Sequence, residues 1–356
     1  MAAFFAEYGM FLLKSLTIVI ALVLAVAGIV AAAHRGGQDE DGHVEVKSIN
    51  QRLDQMKATL QDAVLDDAEI KAVVKQQKEK NKAEAKQKKK ASKGKKTEDS
   101  IVERRRRLYL LDFHGDIRAH AVENLREEIT AVLLLAEAQD EIVVKLESGG
   151  GVVHGYGLAS SQLKRITDKG VPLTVSIDKV AASGGYMMAC IANKIIAAPF
   201  AIIGSIGVVA QIPNFHKILK KNDIDYELYT AGEYKRTLTM FGENTDKART
   251  KFTEELEDTH VLFKDFVKAN RPVVDIDAVA TGETWFGERA IDSKLIDELG
   301  TSDQYLMDAS AEADIYLVSF KQKKTLPEKL GFSAENALMG MFDRGLRELR
   351  DGKFFG

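Results

Sequence analysis

From residue 108 onward, short apolar runs alternate with longer amphipathic stretches, and that alternation leaves few folds open to the chain. Residues 108–113, 142–146, 173–177, 194–199 and 226–230 have the length and composition of strands. The stretch 122–138 carries Leu125, Ile129, Val132 and Leu133 on one helical face, and 156–166 reads as a second helix. Residues 245–269 form a long amphipathic helix bearing Phe252, Leu256, His260, Phe263 and Phe266, ended by Arg271-Pro272. Strands alternating with helices predict an α/β domain with a largely parallel core sheet. The run 181–210 is apolar enough for a membrane span. Lys194, Pro199 and four glycines interrupt it, however, and buried parallel strands give the same hydropathy. It is read as helix, strand and turn.

Three glycine-bearing turns fall at ends of these strands: Gly149-Gly150-Gly151, Ser183-Gly184-Gly185 and Gly204-Ser205-Ile206-Gly207. In parallel α/β sheets ligands bind where such turns gather. The middle turn belongs to Ala181-Ala182-Ser183-Gly184-Gly185-Tyr186, between a buried strand and the start of a helix at 187–192. A serine displayed there has the geometry of a nucleophile, with the following amides aimed at what it attacks. The same residues suit a plain helix start with Ser183 as N-cap, and the turn by itself does not choose between the two. The first turn and the Gly184 amide are candidate oxyanion donors, each typically worth a few kcal/mol in the transition state.

A nucleophilic serine needs a base. His34 and His43 flank an N-terminal apolar segment, His114 and His216 lie in no motif, and His260 reads as packed or exposed on the long helix. His154, just after the first glycine turn, is a serious candidate. The other is Lys235, in Thr230-Ala231-Gly232-Glu233-Tyr234-Lys235-Arg236-Thr237. A lysine is a base only when neutral, which requires a pKa lowered from about 10.4 towards 7–8 by a dry pocket or a neighbouring cation. The single cysteine, Cys190, excludes an intramolecular disulfide and a cysteine zinc cluster, and no metal or cofactor site is read.

Residues 15–33 carry no charge, and as a helix they span about 28 Å, close to a bilayer's apolar thickness. They are read as a retained anchor, although Ala31-Ala32-Ala33 offers a signal-peptide cleavage site. Counting charges does not orient it. Beyond it, Ile49, Leu53, Met56, Leu60 and Val64 make one helical stripe, expected to pack on a copy of itself or on the main domain. Residues 71–96 are mostly Lys, Gln, Ala and Glu, a solvated helix or linker. This basic block and the arginines at 104–107 offer a lipid-surface contact, but no interleaved aromatics point to nucleic acid.

Taken in order, Glu147-Ser148-Gly149-Gly150-Gly151, the turn at 180–186, and the segments 198–208, 231–238, 281–287 and 296–299 resemble the signal peptide peptidase A family of membrane-bound serine proteases, most closely its SohB branch. The matching motifs cover about 108–302. The resemblance implies a ClpP/crotonase-like fold of repeated ββα units, preceded by an N-terminal transmembrane helix and a charged helical connector. It divides the chain into an anchor (1–35), the connector (36–107), a protease domain (108–320) and an amphipathic helical tail (321–356). It makes Ser183 the nucleophile, Lys235 the general base and Ser205 the residue that orients the lysine. Gly184 and either Gly150 or Gly151 form the oxyanion hole, and no metal or cofactor is involved. The implied substrates are extended hydrophobic peptides, such as signal-peptide remnants or misfolded membrane or envelope proteins. The implied setting is a homo-oligomer on a bacterial inner membrane, with the catalytic domain periplasmic. The family commonly has proline where this chain has Gly149, which leaves the oxyanion loop less preorganised. Two other readings use the same fold: a non-catalytic membrane scaffold, and a crotonase-type acyl-CoA enzyme that holds an enolate with the same amide pair.

Overall fold

The computed structural model describes residues 42–72 and 104–322 continuously, with others interspersed between 9 and 21 and between 74 and 82. The predicted anchor at 15–33 lies largely outside these residues, as do most of the basic block and the tail. Among the described residues no helix is long and apolar enough to cross a membrane.

Residues Val44–Phe320 form one compact unit. In chain order its elements begin with β1 (Gly42–Ser48), α1 (Ile49–Val64), β2 (Arg106–Gly115), α2 (Val122–Leu133), β3 (Glu141–Ser148) and α3 (Val153–Asp168). There follow β4 (Leu173–Ile177), β5 (Val180–Ala182), α4 (Gly184–Ala189), β6 (Lys194–Ala197), β7 (Ile202–Gly204) and α5 (His216–Lys221). The last are α6 (Asp246–Asn270), α7 (Ile276–Val279), β8 (Thr284–Phe286), α8 (Gly287–Ala290), β9 (Glu298–Leu299), α9 (Ser302–Ala309) and β10 (Ala313–Gln322).

The strands form one mixed sheet in the order β1-β10-β2-β3-β4-β6-β9, with a branch from β3 through β5 and β7 to β8. From β10 to β9, and from β3 to β7, the pairings are parallel; β8 closes the branch antiparallel. A parallel sheet must be covered on both faces, and β2 shows how the sequence achieves it. Tyr109, Leu111 and Phe113 face the main cluster with α2, α3, α4 and α6. Leu108 and Leu110 face a smaller cluster with Ile49 and Leu53 of α1 and Tyr305, Leu306 and Ala309 of α9. Complete burial of each such side chain is worth about 1.5–3 kcal/mol. The run 181–210 resolves into α4, β6, β7 and turns, as its interruptions imply.

Several local expectations change. Residues 226–230 alternate like a strand but form none: Tyr226, Leu228 and Tyr229 are 44%, 45% and 85% exposed. A period-2 pattern makes a strand only where a neighbour offers a ladder. The helix expected to run to 138 stops at Leu133. Buried Asp140 accepts the amides of Glu137 and Arg107 at 3.0 Å each and draws the chain into β3. Its carboxyl is pushed up by burial, but the Arg104 guanidinium and those amides outweigh this and hold it below the ordinary range. The α1 stripe packs only at its start. Ile49 is buried, whereas Met56, Leu60 and Val64 are 59%, 65% and 70% exposed.

Candidate active site

Pairing of Ser148 with Ala181, and of Ala182 with Gly204, places the ends of β3, β5 and β7 side by side. The strands are parallel, so the three glycine turns leave the sheet at one edge. They line a cleft of about 1020 Å³ together with α6, and Gly150, Gly151, Ser183, Gly184 and Ser205 all border it.

Ser183 sits at φ 52°, ψ −120°, a conformation that ordinarily favours glycine. Such a residue costs about 1–3 kcal/mol and persists only where its surroundings enforce it. Here the Ser183 amide donates to Gly204 O at 2.7 Å, and Met187 N donates to Ser183 O at 2.9 Å. Ser183 occupies the N-cap position of α4, yet its side chain makes no capping hydrogen bond. The half-buried hydroxyl therefore stands at the cleft without the structural task that a plain helix start assigns to it.

The first glycine turn closes tightly on the second. Gly150 has φ +87°, and a Cβ there would lie 2.7 Å from Gly184 N and 2.8 Å from Ser183 Cβ. Its amide donates to Ser148 Oγ at 3.0 Å. A Cβ on Gly151 would overlap the Ile117 carbonyl, so only glycine fits. Behind the turn, Ser148 Oγ and Tyr156 Oη lie 2.5 Å apart, and Tyr156 Oη donates to Asp116 O at 2.8 Å. Burial holds the Tyr156 phenol above its ordinary range, so it keeps the proton that it donates. The glycines are legible in the sequence as turn residues; the Ser148–Tyr156 contact, which joins the end of β3 to α3, is not.

The remaining candidates divide. Ser205, at φ 51°, borders the cleft and donates its amide to Glu283 O at 2.6 Å. His154 is exposed and does not line the cleft. His260, expected to be packed or exposed, does line it, and its buried Nε2 has no hydrogen-bond partner. Lys235 is exposed and is not part of the lining. Its loop is tied to the N-terminal half of α6. Glu233 pairs with Lys247 at 2.6 Å, and the Lys251 ammonium lies 5.3 Å from the centre of the Tyr234 ring. The cleft wall is the C-terminal half of the same helix, through Thr259, His260, Leu262, Phe263 and Phe266. At 1.5 Å per residue, the two stretches are separated by on the order of 10–15 Å along the axis.

Chemically, the cleft offers an unengaged serine hydroxyl, backbone amides in close-fitting glycine turns, and apolar walls from Met187, Val209, Leu262, Phe263 and Phe266. Among the described residues no cluster of His, Cys, Asp and Glu could hold a metal ion. Cys190 lies away from this lining, buried, with its thiol pushed up to about 12 by desolvation.

Residues 3–163 match the family pattern described as Peptidase family S49 N-terminal, and residues 165–316 match Peptidase family S49. A probable protease SohB from Haemophilus influenzae is 48% identical over 342 residues, covering 95% of this chain and 95% of that protein. Another from Buchnera aphidicola subsp. Schlechtendalia chinensis is 49% identical over 304 residues, covering 85% of this chain and 99% of that protein.

Proposed function

Because the chain belongs to peptidase family S49, and is a protease by that relationship, we propose that it is a membrane-anchored serine endopeptidase with Ser183 as nucleophile and Lys235 as general base. The observation that carries this reading is the Ser183 turn: a strained, uncapped serine facing a deep cleft. Lys235, as general base, takes the hydroxyl proton, and Ser183 Oγ attacks a peptide carbonyl. The amides of Gly184 and Gly151 receive the oxyanion; Gly150 is the weaker candidate because its amide already serves Ser148. Protonated Lys235 then gives its proton to the leaving amine, and water hydrolyses the acyl-enzyme. Ser205, at the cleft edge, orients the lysine.

Lys235 reaches Ser183 from a second copy of the chain. Two observations support this: its loop is fixed to the far half of α6, and residues 205–244 leave Val209 82%, Ile218 59% and Tyr229 85% exposed. We assign the ClpP/crotonase-like fold, a homo-oligomer, and placement by the 15–33 anchor on a bacterial inner membrane with the domain on the periplasmic side. The apolar cleft walls favour extended hydrophobic peptides, such as signal-peptide remnants or misfolded envelope proteins.

The test is fluorophosphonate labelling and casein or signal-peptide cleavage by the full chain. Both are expected to disappear in Ser183→Ala, with cleavage also lost in Lys235→Ala. Undiminished labelling of Ser183→Ala rejects the nucleophile, and cleavage that survives Lys235→Ala rejects the base.

A further inference from the structure

Gly149 gives the oxyanion loop freedom that a closely tuned donor can ill tolerate, yet the structure holds that loop from behind. The hydrogen bonds form a chain with one consistent proton order. Tyr156 has one hydroxyl proton, and it goes to Asp116 O at 2.8 Å. The Ser148 hydroxyl, 2.5 Å away, must then donate to Tyr156 Oη, which leaves Ser148 Oγ free to accept from Gly150 N at 3.0 Å. One residue further on, Val152 N donates to Ile117 O at 2.8 Å, so both sides of the Gly150-Gly151 turn are tied to the 116–117 segment.

The ring of Tyr156 touches the other half of the site. A Cβ added to Gly184 would lie 2.7 Å from both Cβ and Cδ2 of Tyr156, so the tyrosine packs directly against the turn that carries the Gly184 amide. Gly115 makes room for the arrangement, since a Cβ there would lie 2.6 Å from Ser148 Oγ and would also overlap the Tyr156 hydroxyl. Tyr156 is completely buried. Its position on α3 is therefore held in the core.

We propose that Tyr156 is a positioning residue that sets both amide donors of the oxyanion hole at once, its ring supporting Gly184 and its hydroxyl, through Ser148, fixing the Gly150-Gly151 turn. This rests on the serine-protease reading and specifies what holds its oxyanion hole. The chain of hydrogen bonds supplies the rigidity that residue 149, as glycine, does not. Tyr156 touches no reacting atom. Its effect passes through the geometry of the donors, which counts in the transition state more than in substrate binding.

The experiment compares the full-length chain with Tyr156→Phe, which keeps the ring and removes one oxygen, and with Ser148→Ala. Amide hydrogen exchange across 147–152 is measured without substrate, and kcat, KM and the inhibition constant of a peptide aldehyde are measured with it. The expected result is exchange about tenfold faster in both variants, reflecting local opening. The kcat falls about 10- to 50-fold with KM within twofold, and aldehyde affinity weakens in step with kcat/KM, because the aldehyde adduct carries the oxyanion. Gly149→Pro introduced into Tyr156→Phe is expected to recover part of the lost kcat, since it restricts the loop by another route. A Cβ at Gly149 meets nothing within 4 Å, which leaves space for it. Unchanged exchange in Tyr156→Phe overturns the proposal. So does faster exchange with unchanged kcat, or a fall in kcat matched by a rise in KM without weaker aldehyde binding. A wild-type chain that neither cleaves peptides nor reacts with fluorophosphonate overturns the protease reading instead, while exchange still decides whether the loop is held in this way.

Discussion

At Gly184 and Gly149, two glycines near the same serine face opposite constraints. A Cβ on Gly184 collides with Tyr156, whereas one on Gly149 meets nothing within 4 Å, and Gly149 is not among the glycines with positive φ. Gly184→Ala is therefore expected to abolish fluorophosphonate labelling and to lower stability by about 1–3 kcal/mol through overpacking. Gly149→Ala should keep the wild-type melting temperature and at least half of the activity. Equal effects of the two substitutions, in thermal melts and labelling rates, would contradict this account of the turns. His260 gives a second contrast. Its unpartnered Nε2 in the cleft wall suits contact with bound peptide, so His260→Ala should raise KM several-fold while fluorophosphonate labels Ser183 at the wild-type rate. Loss of labelling would instead point to His260 as the base, against the proposed Lys235. The sequence made Ser183 and its glycines visible because they interrupt apolar runs at strand ends. Tyr156 was hidden because its partners are set by topology: its hydroxyl meets a carbonyl 40 positions earlier.

Among the elements, β2, β3, β4, α3 and α6 were readable from periodicity because each meets the core along one regular face or is buried on both. The failures came where a boundary or a pairing depended on distant groups. Asp140 ties the turn after α2 to β2 through its acceptors, and 226–230 found no neighbouring strand. The start of α9 shows the same non-local control in a testable form. Asp178, after β4, accepts Ser302 N at 2.8 Å and Ser302 Oγ at 2.5 Å, and lies 3.2 Å from Lys145 Nζ. Burial pushes its carboxyl up, but the Ser302 hydroxyl and amide and the Lys145 ammonium outweigh this and hold it below the ordinary range. A carboxyl lowered in the folded state binds its proton more readily when unfolded. The stability it contributes is thus complete above about pH 4 and is lost as pH falls through the folded value. Asp178→Asn is expected to cost about 1.5–3 kcal/mol in urea unfolding at pH 7, the range for a hydrogen bond to a charged group. The gap from wild type should narrow steadily below about pH 4. A gap that stays constant down to pH 3 would show that shape, and not charge, holds α9.

For the whole molecule, the question is where the base comes from. The order of motifs along the chain implied a Ser–Lys pair and an oligomer only through family resemblance; no residue pattern carried either. The fold adds a physical reason to connect the two. Lys235 is exposed, and its neighbours Glu233 and Tyr234 are held to Lys247 and Lys251 of α6, while the Ser183 cleft is walled by residues 259–266 of that helix. In the proposed oligomer, a neighbouring copy supplies the lysine while these contacts stay in place. This predicts complementation between two inactive proteins. Ser183→Ala and Lys235→Ala should each be inactive alone. After co-refolding in equal amounts, about a quarter of the sites in a closed ring should combine an intact serine with an intact lysine from the adjoining copy. Peptide cleavage should recover to that order, and dilution below the assembly constant should abolish it in the mixture and in the wild type alike. No recovery in mixtures shown by native mass spectrometry to contain both chains would place the dyad within one chain.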